Sequence, residues 1–196
     1  HDLWTPDEPR EAAIALEMSQ TGQWLMPQLA SVPFVEKPPL AYVVWALFLR
    51  GFGGLLGPTI ALRLSLAVWG LLSLGMTYLL ARRLRGAQFA GWVVAILATL
   101  PGFVHVTHWL LVDNALLFFC VATLWALAEA YVGGRRAFLA VAGLCAACAF
   151  LCKGVIGPAV IGLAGLGLFI PWAMDQARKH KAGNTCGWKG WCAWHV

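Results

Sequence analysis

Long apolar runs occupy most of the chain after residue 58, with short polar or basic segments between them. A helix that crosses a membrane needs about 20 predominantly apolar residues. Five runs reach or approach this length, at residues 59–81, 87–104, 109–132, 137–152 and 155–174, of which the fourth is slightly short. The pattern predicts an all-α integral membrane protein with about five transmembrane helices.

A shorter apolar run at residues 38–52 carries Arg50 near its end. Apolar segments of this length more often lie in the membrane interface than cross the bilayer. We therefore predict three regions. Residues 1–58 form an extracytoplasmic loop with amphipathic and interfacial helices, residues 59–181 form the transmembrane bundle, and residues 182–196 form an irregular tail.

Charged residues make up 12% of the chain, against about 25% in a typical soluble domain. The basic residues gather in clusters between the apolar runs, at Arg82, Arg83 and Arg85, at Arg135 and Arg136, and at residues 178–181. If the five long runs cross the membrane alternately, all three clusters lie on the side that the positive-inside rule identifies as the cytoplasm. The net charge of +5 therefore sets membrane orientation. It does not indicate nucleic-acid binding, for which basic residues would line one solvated face.

The same topology brings four separated charged segments to the extracytoplasmic end of the bundle. They are the stretch WTPDEPR at residues 4–10, the pair Glu36-Lys37, Asp113 and Lys153. Ionisable residues within membrane segments are rare and usually functional. In a chain with so few charges, this convergence is the strongest functional signal in composition and topology.

The first of these segments also has a structural interpretation. Thr5-Pro6-Asp7-Glu8 matches a helix capping box in front of a predicted amphipathic helix at residues 11–20. Capping leaves Pro9 awkward, because proline removes an early helical hydrogen bond, and it does not explain Arg10. A catalytic or binding role for Asp7 therefore stays open alongside the capping role.

The other three segments have comparable alternatives. Lys37 precedes two prolines, which hold its backbone extended, but it could also be an interfacial lysine that reaches the headgroups. Asp113 lies about four residues into the predicted helix, where a charge costs about 2.5–3.5 kcal/mol, although a helix-end role is the simpler alternative. Lys153 ends a helix and suits the negative end of its dipole.

For three further groups of polar or sulfur-bearing residues, a structural role is the favoured interpretation. Glu129 is expected to pair with Arg135 or Arg136. The remaining candidates are the pair His105 and His108, with metal-ligand spacing, and the cysteines Cys145, Cys148 and Cys152 on one helical face. The histidines are more simply polar residues of the interface, and the cysteines are small residues that let helices pack closely.

Four stretches, taken in order, carry a resemblance to one family: LWTPDEPREAAIALEM, VEKPPLAYVVW, LLVDNALLFF and FLCKGVIGPAVIGL. They are similar to an Asp-Glu-x-Arg motif, a Glu-Lys-Pro motif followed by an aromatic-rich helix, a second acidic motif and a Lys-Gly motif. The chain resembles the membrane glycosyltransferases of the protein O-mannosyltransferase superfamily, with the GT-C fold. Within that superfamily it is similar to the lipid A aminoarabinose transferase-like enzymes of bacteria.

The resemblance implies transfer of a sugar from a polyprenyl-phosphate carrier to a hydroxyl or phosphate acceptor on lipid A, another glycan or a protein. It implies a multi-pass protein of the bacterial inner (plasma) membrane with its site on the extracytoplasmic side. Asp7 corresponds to the general base, and Asp113 to a second acidic residue that positions the acceptor or Arg10. Substrate binding is assigned to Glu8, Arg10, Glu36, Lys37, Tyr42 and Lys153, with the cations holding the phosphate.

The implied partners are the polyprenyl-phosphate-linked donor, a lipid or protein acceptor and membrane lipids, with no nucleic acid. No cofactor and no metal site is assigned, although the superfamily includes metal-assisted members, which leaves a divalent metal ion open.

The chain departs from the family pattern in sequence and in length. Glu11 stands where the family often has an aromatic residue, and Asp113-Asn114 stands where Asp-Pro is common. Residues 1–3 are all that precede the first motif, so we expect a fragment covering the front of the catalytic module. The alternative functions are an inactive fragment or a non-enzymatic membrane assembly partner. A transporter is less favoured, because the sequence has no internal repeat.

Overall fold

The computed structural model describes residues 7–181, which form helices joined by short loops and one small hairpin. The helices are α1 (Asp7–Thr21), α2 (Leu40–Leu56), α3 (Pro58–Arg85), α4 (Ala87–Thr99), α5 (Pro101–His108), α6 (Asp113–Tyr131), α7 (Phe138–Lys153) and α8 (Ile156–Lys181). Between α1 and α2, strands β1 (Gln28–Leu29) and β2 (Val32–Pro33) pair antiparallel. The capping residues Thr5 and Pro6 and the predicted tail at 182–196 lie outside the described residues.

The long helices confirm the predicted all-α membrane architecture. By length and apolar composition, α3, α6 and the Ile156–Met174 part of α8 can each cross a membrane. Helices α4 and α5 together form a fourth candidate span that is bent by 65°. Helix α7 has 16 residues and is shorter than a typical span. The predicted five spans therefore correspond to three long helices, one bent pair and one short apolar helix.

The bend between α4 and α5 follows from Pro101. A proline disfavours helical backbone in the residue before it, and Leu100 adopts extended angles of φ −70° and ψ 123°. The run at residues 87–104, which was predicted to be continuous, is therefore two helices. Hydropathy alone does not show where the helical hydrogen bonds are interrupted.

Helix α2 corresponds to the predicted interfacial run. One of its faces is buried in a core cluster with α1 and the start of α3, through residues that include Tyr42 and Trp45. Its other face exposes Leu47 and Leu55. Helices α3, α6, α7 and α8 share a second core cluster around Trp69, Cys120 and Cys152.

Ion pairs define the basic end of the bundle. Glu129 at the end of α6 lies 3.3 Å from Arg83 at the end of α3 and 3.7 Å from Arg135 in the following loop. The predicted pairing of Glu129 with Arg135 is confirmed. Because α3 and α6 both end here, their starting ends lie together at the opposite end of the bundle.

The contact between α7 and α8 requires a glycine. A Cβ atom at Gly157 would lie 2.9 Å from the backbone C and O atoms of Ala149, closer than packed atoms tolerate. We expect Gly157→Ala to lower the free energy of unfolding by about 1–3 kcal/mol, the usual cost of overpacking. Thermal unfolding in detergent would measure it against Gly162→Ala, a position in the same helix where an added Cβ meets nothing within 4 Å. Equal unfolding midpoints for the two variants would contradict this packing.

Candidate functional site

The first turn of α1 presents Asp7 and Arg10 on one side of the helix. Arg10 Nη2 lies 3.3 Å from Asp7 Oδ1, and Arg10 Nη1 lies 4.0 Å from Glu36 Oε2 in the loop before α2. The guanidinium also lies over the Phe34 ring, 5.9 Å from its centroid. Asp7 is 46% exposed. Its carboxylate is thus oriented by Arg10 and accessible from outside the bundle.

Glu11, one turn after Asp7, is a fully buried carboxylate at the centre of this cluster. Its Oε1 accepts hydrogen bonds from Lys37 Nζ at 2.5 Å and from Arg10 Nη2 at 3.4 Å. Its Oε2 accepts a hydrogen bond from the Tyr42 hydroxyl at 2.5 Å. Burial, together with this bond to Glu11, raises the pKa of Tyr42 well above its usual value. The phenol therefore stays protonated and acts as the donor.

Asp113 and Lys153 form a second ion pair at the same end of the bundle. Lys153 Nζ, at the end of α7, lies 2.5 Å from Asp113 Oδ1, at the start of α6. Both side chains are about 30% exposed (30% and 31%). Gly154 follows with φ +61°, a left-handed conformation in which glycine is unstrained, and it ends α7 directly after the lysine.

A cavity of about 280 Å³ lies between Lys37, which pairs with Glu11, and Lys153, which pairs with Asp113. Its lining includes Lys37 and Glu36 from the loop before α2 and Lys153 from the end of α7. Val35, Pro38 and Gly154 complete it. Two lysines that are far apart in sequence thus line one small cavity, and each pairs with a carboxylate. Asp7 and Arg10 are connected to this space through Glu36.

Glu8 belongs to a different network, with Arg63 and the backbone of Leu110, and its role in substrate binding stays a prediction. Its carboxylate is fully buried and accepts two bonds from Arg63, at 2.6 and 2.9 Å, and one from the backbone N–H of Leu110 at 2.6 Å. Arg63 also donates to the carbonyl of His108. Glu8 therefore fastens α1 to α3 and to the loop that leads into Asp113, and it does not line the lysine cavity. Tyr42 is likewise fully buried, so it acts on the site through Glu11.

Asp113 lies at the first position of α6, whereas the sequence predicted a helix that began four residues earlier. The intervening residues form a loop that the side chain of Asn114 holds in place. Asn114 Nδ2 donates to the carbonyls of Val106, at 2.5 Å, and Trp109, at 3.1 Å. Asp113 pairs with Lys153 rather than Arg10, its predicted alternative partner, within the described part of the chain.

A larger cavity of about 760 Å³ lies among α3, α4 and α5. Most of its lining is apolar and includes Leu66, Leu74 and Phe103. Arg63, Thr107 and His108 supply polar groups. The guanidinium of Arg63 is shared between this cavity and the buried Glu8 network.

Within residues 7–181, the histidine, cysteine and carboxylate side chains do not form a group that could hold a metal ion. His108 Nδ1 is 2.8 Å from the carbonyl of Val104, and His105 packs on Trp109. Cys145, Cys148 and Cys152 are free thiols on α7. In this part of the chain, the chemistry of the site rests on carboxylates, cations and a phenol.

Two residues of these networks were missed by sequence reasoning. Glu11 was noted only as a departure from the family pattern, yet it lies four positions after Asp7 and therefore on the same face of α1. Arg63 is a charge inside the first predicted span, a position that indicates a functional or paired residue. Both signals were available in the sequence.

Comparisons with known proteins identify the family of the chain. The family described as dolichyl-phosphate-mannose-protein mannosyltransferase matches residues 1–194. The undecaprenyl phosphate-alpha-4-amino-4-deoxy-L-arabinose arabinosyl transferase 2 of Pseudomonas fluorescens (strain Pf0-1) is 32% identical over 194 residues, covering 91% of this chain and 32% of that protein. The corresponding transferase 2 of Proteus mirabilis (strain HI4320) is 32% identical over 165 residues, covering 81% and 29%.

Structural similarity leads to the same group of proteins. The crystal structure of ArnT from Cupriavidus metallidurans bound to undecaprenyl phosphate superposes with a TM-score of 0.72 and 25% identity, covering 88% of this chain and 37% of that one. The chain spans about a third of the length of these relatives. It is a multi-pass bacterial membrane protein with the predicted GT-C fold, and it belongs to the dolichyl-phosphate-mannose-protein mannosyltransferase family of glycosyltransferases.

Proposed function

We propose that this chain forms the phosphate-binding and base-bearing part of an inverting glycosyltransferase. The enzyme moves a sugar from a polyprenyl-phosphate carrier to a hydroxyl or phosphate acceptor on lipid A, another glycan or a protein. The observation that carries the proposal is the cavity shared by Lys37 and Lys153. The names of the relatives, which are undecaprenyl-phosphate aminoarabinosyl transferases, support the same class of donor.

The two lysines suit the phosphate of the donor. Ammonium groups bind phosphate oxygens as point charges, and fixed cations lower the barrier most where negative charge develops. In the reaction the bond between the anomeric carbon and the phosphate oxygen breaks, and its electron pair leaves on the phosphate. Lys37, Lys153 and Arg10 would stabilise that charge. The cavity of about 280 Å³ is smaller than most complete ligand sites, so it suits a phosphate head.

Asp7 suits the role of general base. Its carboxylate is 46% exposed and held by Arg10, so an acceptor hydroxyl can reach it. Asp7 would take the proton of that hydroxyl, and the acceptor oxygen would attack the anomeric carbon on the face opposite the phosphate. One base is sufficient because the donor already carries its leaving group. Asp113 would position the acceptor while it holds Lys153.

The membrane setting follows from the two ends of the bundle. One end of the bundle is basic and contains Arg83, Arg135 and their partner Glu129. The positive-inside rule assigns this end to the cytoplasm. The lysine cavity would then face the extracytoplasmic side of the bacterial inner membrane. The apolar cavity of about 760 Å³ among α3, α4 and α5 suits a hydrocarbon chain of a lipid substrate.

Binding of undecaprenyl phosphate tests the proposal. We expect Lys37→Gln and Lys153→Gln each to weaken binding by about tenfold or more, because a charge-assisted bond contributes about 1.5–3 kcal/mol. The measurement is binding of radiolabelled undecaprenyl phosphate to the protein in nanodiscs of neutral lipid. Arg50→Gln is the matched control, since Arg50 lies within α2 against Trp24 and does not line the cavity shared by the two lysines. Undecaprenol, which lacks the phosphate, should bind all variants equally. Unchanged binding of undecaprenyl phosphate to both lysine variants would overturn the proposal.

A further inference from the structure

The carboxylate of Glu11 lies between Lys37 and Arg10, two of the cations that are proposed to bind phosphate. A single oxygen, Oε1, accepts hydrogen bonds from both Lys37 and Arg10. The other oxygen is fixed by Tyr42, and the side chain is fully buried. The carboxylate therefore cannot turn away from the two cations, and its negative charge stays in contact with both.

The charge balance of the site determines how strongly the Glu11 carboxylate affects phosphate binding. The described site contains four carboxylates, Asp7, Glu11, Glu36 and Asp113, and three cations, Arg10, Lys37 and Lys153. An incoming phosphate therefore meets cations whose charges are already compensated. Glu11 is the carboxylate that contacts two of them, and at 0% exposure its charge is the least screened by water.

We propose that Glu11 sets the affinity of this site for phosphate and favours release of the phosphate product, an inference that rests on the proposed function. The donor is a phosphodiester with one negative charge. The carrier that leaves after transfer is a phosphomonoester, which gains a second charge as the pH passes about 6. Because repulsion grows with charge, Glu11 weakens binding of the product more than binding of the donor. Glu11 touches no substrate in this scheme and acts through Lys37 and Arg10, so it is a positioning residue.

Glu11→Gln is the variant that tests this role. Glutamine keeps the shape of the side chain: its oxygen can accept from Lys37, and its amide can donate to the Tyr42 oxygen. The charge is lost, and the bond with Tyr42 changes direction, because in the protein the Tyr42 hydroxyl donates to Glu11. We expect undecaprenyl phosphate to bind about tenfold more tightly to Glu11→Gln at pH 8, within the range for one charge near a partly screened site. The gain should be smaller at pH 5, where the monoester carries one charge.

Two controls isolate the effect of the charge. Glu17→Gln removes a carboxylate from the same helix, where Glu17 accepts a bond from the backbone N–H of Ser31, and it should leave binding unchanged. Binding of undecaprenol should be equal in all variants. Weaker or unchanged binding of undecaprenyl phosphate to Glu11→Gln would overturn the inference, since glutamine keeps an acceptor for Lys37 and removes the negative charge. A tenfold gain that is the same at pH 5 and pH 8 would overturn the preference for releasing the dianionic product.

The Lys37→Gln variant separates failure of this inference from failure of the proposed function. If Lys37→Gln and Lys153→Gln both leave binding of undecaprenyl phosphate unchanged, the phosphate site itself is wrong. If Lys37→Gln weakens binding while Glu11→Gln fails to strengthen it, the site stands and the role of Glu11 is wrong.

Discussion

Replacing Asp7 with asparagine is expected to abolish sugar transfer while the protein still folds and inserts into the membrane. Asparagine keeps the size of the side chain and can still accept a hydrogen bond from Arg10, which lies 3.3 Å from Asp7 Oδ1. It cannot take a proton from an acceptor hydroxyl. General base catalysis contributes about 10²–10⁴-fold, so we expect the rate of transfer to fall by at least about 10²-fold.

The measurement is transfer of sugar from an undecaprenyl-phosphate-linked donor in membranes that contain the protein. Glu17→Gln serves as the control, because it removes a carboxylate from α1 outside the site. Undecaprenyl phosphate should bind Asp7→Asn as it binds the original protein, since Lys37 and Lys153 are intact. Retained transfer would rule out Asp7 as the base. Loss of transfer together with loss of binding would instead indicate that Asp7 holds the site together.

Geometry favours Asp7 over Asp113 as the base. Asp113 accepts a 2.5 Å bond from Lys153, so its carboxylate is already engaged by an ammonium group. Asp7 has a longer contact with Arg10, at 3.3 Å, and is more exposed than Asp113. It can therefore reach an acceptor without first breaking a short ion pair.

The parts of the fold that the sequence predicted are those governed by hydropathy and by the family motifs. Apolar runs long enough to cross a bilayer became α3, α6 and α8, because burial in lipid depends on composition over the whole helix. Lys37 and Lys153 were expected at one end of the bundle, and they line one cavity. Topology alone was sufficient for this, because each lysine lies at the end of its segment.

The parts that the sequence missed depend on pairing between distant residues. Whether Glu8 faces the lysine cavity or the bundle is decided by Arg63, which lies 55 positions away in the chain. The role of Glu11 depends in the same way on Tyr42 and Lys37. The start of α6 at Asp113 depends on the bonds from Asn114 to Val106 in α5 and to Trp109 in the preceding loop. Local propensity carries no information about such contacts, since each partner belongs to another element.

The buried ion pair between Glu8 and Arg63 leads to the largest expected loss of stability. Removing one partner of a buried pair costs about 3–5 kcal/mol, because the other charge remains uncompensated. Arg63 is 27% exposed, so water stabilises part of its unpaired charge. We therefore expect Glu8→Gln to lower the free energy of unfolding by about 3 kcal/mol, the lower end of this range. A thermal unfolding midpoint well below that of the original protein is the expected result.

The other ion pair of α3 provides the matched control. Arg83 near the end of α3 pairs with Glu129 of α6 at 3.3 Å, so Glu129→Gln removes the carboxylate partner of an α3 arginine at the opposite end of the bundle. Glu129 is 13% exposed, whereas Glu8 is fully buried, and the loss of stability should therefore be smaller. Glu129→Gln should bind undecaprenyl phosphate normally.

Glu8→Gln is expected to affect the site as well as the fold. The Glu8 carboxylate bonds to Arg63 and to the backbone N–H of Leu110. Leu110 lies three residues before Asp113, and Glu8 itself directly follows Asp7 in α1. Loosening this junction lets both candidate catalytic carboxylates move, so transfer should fall even at temperatures where the variant remains folded. Normal transfer by folded Glu8→Gln would show that the junction only stabilises the fold, and that Asp7 and Asp113 are held by Arg10 and Lys153 alone.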